Sequence, residues 1–555
     1  MRKLNTFSSC HRENIVRKIT SKKLDVLVIG GGITGAGILL DATSRGLKTG
    51  LVEMQDYAAG TSSRSTKLIH GGLRYLKQFE AGLVAEVGKE RAIVYENGPH
   101  VTTPEWMMLP FYKGGTFGVF TTNIGLRVYD FLAGVKKEER RKMLRPEEAL
   151  QKEPLLAKEK LKGAGFYVEY KTDDARLTIE VMKKAVELGA LALNYIKVIH
   201  FLYDDFRKIN GVIVEDQISG EQFSIFAKKI INATGPWVDE LRDLDGSKQG
   251  KTLHLTKGVH LVFSKQRFPL QQAIYFDAPD GRMIFAIPRE NKTYVGTTDT
   301  DYEGNIARPL VTEEDRDYLL AAINFMFPTL NIESSDVESS WAGLRPLIAE
   351  EGKNPDEISR KDEIFISKSG LYSIAGGKLT GYRKMAEAVT DRIVEEFKVT
   401  EGILYSPSET RHLPISGGDI GGAKHFKDFK DRKLKEDLAL GMDRQTLKNL
   451  IQTYGSNIDI IFQLYEDAKK VAQDDVMDPI VLATLKYAIS YEQAYKPIDY
   501  FIRRTGALFF NIQWVEDHQH QVVDYMEKVL HWTEAQKHLY HEELKQMIEE
   551  AKQVT

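Results

Sequence analysis

Three glycines, Gly30, Gly32 and Gly35, follow a short apolar run and open a helix-like stretch within residues 24–53. Glycine at that spacing handles phosphate through the backbone. Gly30 allows a tight turn, Gly32 lets the chain approach a pyrophosphate, and Gly35 lets the helix pack against the strand before it. A diphosphate would then meet free N–H groups at the positive end of the helix dipole. Glu53, which closes the next apolar run, is placed to accept from ribose hydroxyls. Three further segments have the chemistry to wrap a long ligand. Residues 60–75 are dense in hydroxyls and glycines, which donate and accept along an extended molecule, although a polar loop has the same composition. Residues 229–238 are an apolar strand broken by small residues, so that backbone can lie against a cofactor. Residues 371–383 pass through Gly376 and Gly377 into a helix, where Lys378 adds a positive charge to the N-terminus. The cofactor contacts expected in these segments are Thr61, Ser62, Ser65, Lys67, His70, Gly71, Ala233, Gly235, Trp237, Gly376, Gly377, Lys378, Leu379 and Thr380. The glycine motif does not separate FAD from NAD, because both share the ADP half.

The elements that must hold these groups are legible from pattern. Residues 25–29 read as a buried parallel strand, the helix runs to about Ser44 with Gly46 ending it, and 49–52 is the second strand. Strands are expected at 209–215, 229–232, 260–263, 283–287 and 294–296, with a helix at 178–188 between them. Around 401–423 the chain turns to Gly, Ser and Pro, which suits a linker. Beyond it the pattern is helical. Leu447, Leu450, Ile451 and Tyr454 fall on one helix face with Gly455 as stop, and Asp478-Pro479 caps another helix. Residues 405–555 therefore read as a separate helical domain whose aromatic stripe serves packing.

Composition sets outer limits. A chain of 555 residues exceeds one compact core and calls for two or three domains. A net charge of -3 with no basic block in its body does not imply nucleic acid. Cys10 is the sole cysteine, which excludes an internal disulfide, a thiol redox pair and a cysteine-based zinc site; no metal is expected. Residues 1–20 form a basic extension without the apolar core of a signal peptide, and no run reaches the ~18 apolar residues of a membrane span.

Several sequence words together resemble the FAD-dependent glycerol-3-phosphate dehydrogenases, within the D-amino-acid-oxidase and glycine-oxidase group. They are GGGITGAG at 30–37, TSSRSTKLIHGGLRYL at 61–76, INATGPWV at 231–238, KGVH at 257–260, GLRPL at 343–347, GGKLTGYRK at 376–384 and DYFIRRT at 499–505. The resemblance implies an α/β fold: a Rossmann-type FAD-binding domain (about 21–100, 165–255 and 340–400) interleaved with a β-rich substrate domain (about 101–164 and 256–339). A linker at 401–423 would lead to an all-helical domain at 424–555. It implies oxidation of sn-glycerol 3-phosphate to dihydroxyacetone phosphate, with His260 in the active site as the base. Arg74, Arg345, Arg360 and Lys378 lie in or near glycine-containing strand ends, and several fixed cations suit a phosphate dianion. Arg345 is placed at the reacting centre as well as in the substrate pocket. Tyr75 and Thr380 complete that pocket. A quinone is the implied electron acceptor, with peripheral contact at the inner face of the cell membrane of a cytoplasmic protein; a homo-oligomer is compatible. The basic N-terminus and the apolar residues at 106–112, with Phe117, Val119 and Phe120, would supply that contact. The competing readings are an oxidase of the same fold that uses oxygen, acting on glycerol 3-phosphate or an amine, and a flavin-bearing scaffold without turnover.

Overall fold

The run at 25–29 is apolar throughout because both faces of that strand are covered. The elements that carry the site are, in chain order, β1 (Leu24–Ile29), α1 (Ile33–Ser44), β2 (Thr49–Val52), α2 (Asp174–Glu187), β3 (Gln222–Asn232), β4 (Lys251–Ser264), β5 (Val337–Glu350), β6 (Leu371–Ala375) and α3 (Tyr382–Glu401). The computed structural model describes residues 7–70, 81–132, 139–350, 362–376, 378–436, 440–471 and 477–554. A parallel set runs in the order β6, β3, β1, β2, with Leu191–Leu193 beyond β2 and Glu363–Ile366 antiparallel beyond β6. Val26 and Val28 of β1 join the core formed with α1, α2 and α3 through Leu39, Met182 and Val389. Leu27 and Ile29 join the opposite core with Ile15, Ile19 and the hairpin Ile196–Tyr203 and Ile209–Asp216. Helices over a parallel sheet are what its crossover connections require.

A second, mostly antiparallel sheet is built around β4 and β5, which pair from Lys251 with Glu350 to Val262 with Ser339 and, past a bulge, Phe263 with Val337. Its other strands include Thr102–Tyr112, Leu161–Thr172, Ala273–Asp277, Met283–Arg289 and Lys292–Gly296. The register sets His260 opposite Trp341 and Gly258 opposite Gly343. This sheet includes residues up to Thr172 and Glu350, past the expected limits near 164 and 339, because two long strands run on to pair with Thr102–Tyr112 and β4.

The helical part follows the expected caps: Asp443 accepts from the amides of Gln445 and Thr446, and Asp478 from those of Ile480 and Val481. It is less separate than its pattern suggests. The Trp341 ring of β5 lies 5.2 Å from that of Phe509, and the Ser339 hydroxyl donates to the Phe509 carbonyl at 2.5 Å. The stretch at 401–423 is tied down as well, with Asn97 donating to the Thr410 carbonyl at 3.0 Å and Thr410 donating to Asp41 at 3.1 Å.

Two expectations about the surface are corrected. The basic extension is folded from Phe7 onward: Phe7, Ile15 and Ile19 are buried, and Arg12 pairs with Asp216 at 3.1 Å. Phe111 is buried and Trp106 stacks on Phe166 at 4.7 Å, because both faces of Thr102–Tyr112 are covered by core. The exposed apolar residues nearby are Val119 (43%), Phe120 (75%) and Ile124 (48%) on the helix Val119–Leu132. Among the described residues no helix is long and apolar enough to cross a membrane.

Candidate active site

The turn between β1 and α1 has the geometry that only glycine allows. Gly30 has φ +112, and a Cβ there would lie 2.5 Å from the Ala233 carbonyl oxygen; a Cβ on Gly35 would lie 1.9 Å from the Gly30 carbonyl oxygen. Strand, turn and helix are therefore pressed together with no room for a side chain. Glu53, at the end of β2, accepts from the Gly31 amide at 2.6 Å and the Gln55 amide at 2.8 Å. Burial raises its pKa above the ordinary carboxylate value, against those two hydrogen bonds. The Ser62 hydroxyl accepts from the Ile33 amide at 3.0 Å in the first turn of α1.

Around this turn lies a cleft of about 440 Å³. Gly30, Gly32, Glu53, Thr61, Ser62, Ser65, Ala233, Gly235, Trp237, Gly376 and Leu379 line it. A second cavity of about 200 Å³ is lined by His70, His260, Arg345, Lys378, Thr380 and the loop 64–66. Thr61, Ser65 and Leu379 line both, so the cavities adjoin across a shared wall. Gly35 stands behind the turn as packing. Gly71, Arg74, Tyr75, Arg360 and Gly377 lie outside the described residues.

Lys67 is a correction. Its ammonium, buried, pairs with Asp174 at 2.6 Å and donates to the Ser63 carbonyl at 3.0 Å, and it lines neither cavity. A desolvated ammonium needs such a partner, and Asp174 is supplied by the first turn of α2. Asp174 also accepts from the amide and hydroxyl of Ser65, at 3.0 and 2.7 Å. Sequence reasoning missed Asp174, whose spacing signals nothing beyond a helix start.

In the second cavity His260 is buried, stacked on Trp341 at 4.7 Å, with Nε2 3.0 Å from the Thr66 hydroxyl. Its Nδ1 has no hydrogen-bond partner among the described residues. Burial, reinforced by Arg345 and Lys67, holds its pKa well below the usual imidazole value, so the ring is neutral at pH 7. Arg345 crosses over Gly258, where a Cβ would lie 2.6 Å from Nη2. It donates to Thr297 Oγ1 at 3.0 Å and the Thr298 carbonyl at 3.2 Å, and pairs with Asp299 at 3.1 Å. The Thr380 hydroxyl donates to the His70 carbonyl at 3.3 Å. Thr66 and Trp341 were not singled out from sequence. The hydroxyl-rich word around Thr66 was the available signal, whereas Trp341 follows only from the register of β5.

A dinucleotide cleft beside a cation-bearing pocket can hold a redox cofactor against a small anionic substrate. Residues 25–383 match the FAD dependent oxidoreductase family, and residues 408–537 match the C-terminal domain of alpha-glycerophosphate oxidase. The chain belongs to the FAD-dependent oxidoreductases. Relatives include the aerobic glycerol-3-phosphate dehydrogenase of Bacillus subtilis (strain 168), 58% identical over 545 residues and 98% of each chain. That of Staphylococcus aureus (strain USA300) is 56% identical over 549 residues, 99% of this chain and 98% of its own. The glycerol-3-phosphate dehydrogenase from Bacillus halodurans, solved in complex with FAD, superposes with a TM-score of 0.86 at 49% identity over 99% of both chains. The cofactor of the family, FAD, suits the cleft observed: a backbone cradle that a Cβ would fill at Gly30, an acid at the end of β2, and a helix N-terminus between them.

Proposed function

We propose that this chain oxidises sn-glycerol 3-phosphate at its secondary carbon to dihydroxyacetone phosphate and passes the electrons to a quinone. The observation that carries the reading is the junction of the two cavities, which brings a neutral imidazole and two cations to the end of the dinucleotide cleft. The names of the relatives agree with it. FAD, when bound, supplies the acceptor for the hydride. Thr61, Ser65 and Leu379, which line both cavities, would flank the place where cofactor and substrate meet. His260, neutral and lining the second cavity beside the Thr66 hydroxyl, accepts the proton of the substrate hydroxyl. Arg345 and Lys378 receive the phosphate dianion and the polarised substrate oxygen. Arg345 is held in place by Thr297, Thr298 and Asp299, so little ordering remains for substrate to impose.

Anaerobic addition of glycerol 3-phosphate should bleach the flavin absorbance, and free glycerol should not. Replacing Arg345 with methionine should lower kcat/KM for the phosphate by roughly tenfold or more while changing the feeble reaction with glycerol little. Equal bleaching by glycerol would refute the phosphate pocket. Peroxide formed in step with substrate, and no reduction of a quinone analogue, would assign the oxidase reading instead.

Contact with a membrane, on this proposal, is made by Val119, Phe120 and Ile124, because Phe111 is buried in the core and the half-buried Trp106 packs on Phe166. The same helix buries Leu126 against the second sheet, so its exposed apolar residues are anchored on a rigid support. Phe120→Ser should leave soluble activity unchanged and reduce cosedimentation with anionic phospholipid vesicles. Undiminished pelleting of that variant would remove this helix from the interface.

A further inference from the structure

One stretch of the helical domain, residues 492–504, reaches into the dinucleotide-binding domain. Asp56, buried just beyond β2, accepts from Arg503 Nε at 2.5 Å, from Arg504 Nη1 and Nη2 at 2.7 and 2.9 Å, and from Asn194 at 3.0 Å. Arg503 and Arg504 end the helical segment Asp499–Arg504. The neighbouring Tyr57 donates its hydroxyl to Gln493 Oε1 at 2.7 Å, and Gln493 Nε2 donates to the Ala192 carbonyl at 3.0 Å. Gln493 holds a left-handed backbone, φ +51, which persists in a non-glycine residue only where surrounding contacts impose it.

The loop gripped in this way is the one that shapes the cofactor cleft. Glu53 accepts from the Gly31 amide, the Ala58 amide donates to the Gly31 carbonyl at 3.0 Å, and a Cβ on Gly31 would lie 2.8 Å from the Tyr57 ring. The opposite lip is held by the same stretch. Arg176 of α2 pairs with Glu492 and donates to the Arg504 carbonyl at 2.9 Å, while Asp174, two residues earlier, fixes Ser65. We propose that residues 492–504 are a positioning element for FAD: by gripping Asp56, Tyr57 and Arg176 they set the separation of the two lips of the cleft. This rests on the placement of the dinucleotide in the first cleft, and it gives the helical domain a role in cofactor retention.

The test measures FAD dissociation in the full-length holoenzyme by recovery of flavin fluorescence, well below the unfolding temperature, alongside Tm with and without added FAD. Gln493→Ala should release FAD roughly tenfold faster and bind it correspondingly more weakly, the scale of one or two lost buried hydrogen bonds. Tyr57→Phe, which keeps the ring and removes one hydroxyl, should shift both quantities in the same direction and carries the test if Gln493→Ala does not fold. In each variant the rise in Tm on adding FAD should shrink. A purely structural role predicts equal losses of Tm with and without FAD and an unchanged release rate, and that result would overturn the proposal. Glu53→Gln is the control at the cleft itself. If it too leaves FAD binding unchanged, the cofactor placement has failed, and the positioning role with it; if it alone weakens FAD, only the positioning role is wrong.

Discussion

Replacing His260 with alanine should leave a folded, flavin-loaded protein whose turnover with glycerol 3-phosphate falls by roughly 10²–10⁴-fold, the usual contribution of a positioned proton acceptor. The flavin should stay because His260 lines the second cavity and not the cofactor cleft. The pH profile supplies an independent check. A base must be neutral to act, and burial together with Arg345 and Lys67 keeps the His260 ring neutral to well below its ordinary pKa. The acid limb of kcat/KM should therefore lie below pH 6.5, with a plateau through neutrality. The sign for stability runs the same way. Below about pH 6.5 the unfolded chain protonates this histidine and the folded chain does not, so acid withdraws stability in that window. Turnover in His260→Ala within a few-fold of the parent would remove His260 as the proton acceptor.

Glu492→Leu should destabilise the protein by about 3–5 kcal/mol, the cost of removing one partner from a buried ion pair. Glu492 is fully buried and faces Arg176, Lys183 and Arg504. Burial pushes its carboxyl up, yet those three cations together hold it below the usual carboxylate range, so it is ionised at neutral pH. Its contribution is present above the unfolded carboxylate pKa and is lost as the pH falls from that value through the lower pKa of the folded chain. A denaturant titration measures the loss, and a double-mutant cycle with Arg176→Met identifies its origin. Removing both partners should cost clearly less than the sum of the single changes, because the pair's interaction is then lost only once. Additive losses would mean that the two side chains act independently.

The dinucleotide turn was legible because it is local: Gly30, Gly35 and Glu53 act within one strand, one helix and the next strand, and their spacing carries the geometry. Lys67 shows where locality ends. A lysine inside a hydroxyl-rich word looks like a ligand contact until the fold delivers Asp174 from another element, and nothing in either segment announces that pairing. The same holds for Trp106 and Phe111. An aromatic run reads equally well as an interface or as a strand covered on both faces, and only the second sheet decides. His260 was found through a family word, whereas its stacking partner Trp341 depends on a register between β4 and β5 that residue types do not encode. The helical domain was recognisable as helix from its periodicity, but its grip on Asp56 was invisible, since the partners are 447 and 448 positions apart.

That distance has a consequence for how the chain is made. Asp56 leaves the ribosome early, and its two arginine partners follow only after most of the polypeptide has been synthesised; at ~5–20 residues per second, that interval is roughly 20–90 s. Throughout it, a carboxylate destined for burial has no counter-charge, and the nascent loop beside the glycine turn has nothing to lean on. Ser9, which donates to the Ala494 carbonyl at 2.8 Å, waits equally long. The cofactor cleft in the form seen here therefore depends on contacts that exist only once residues 492–504 have been made.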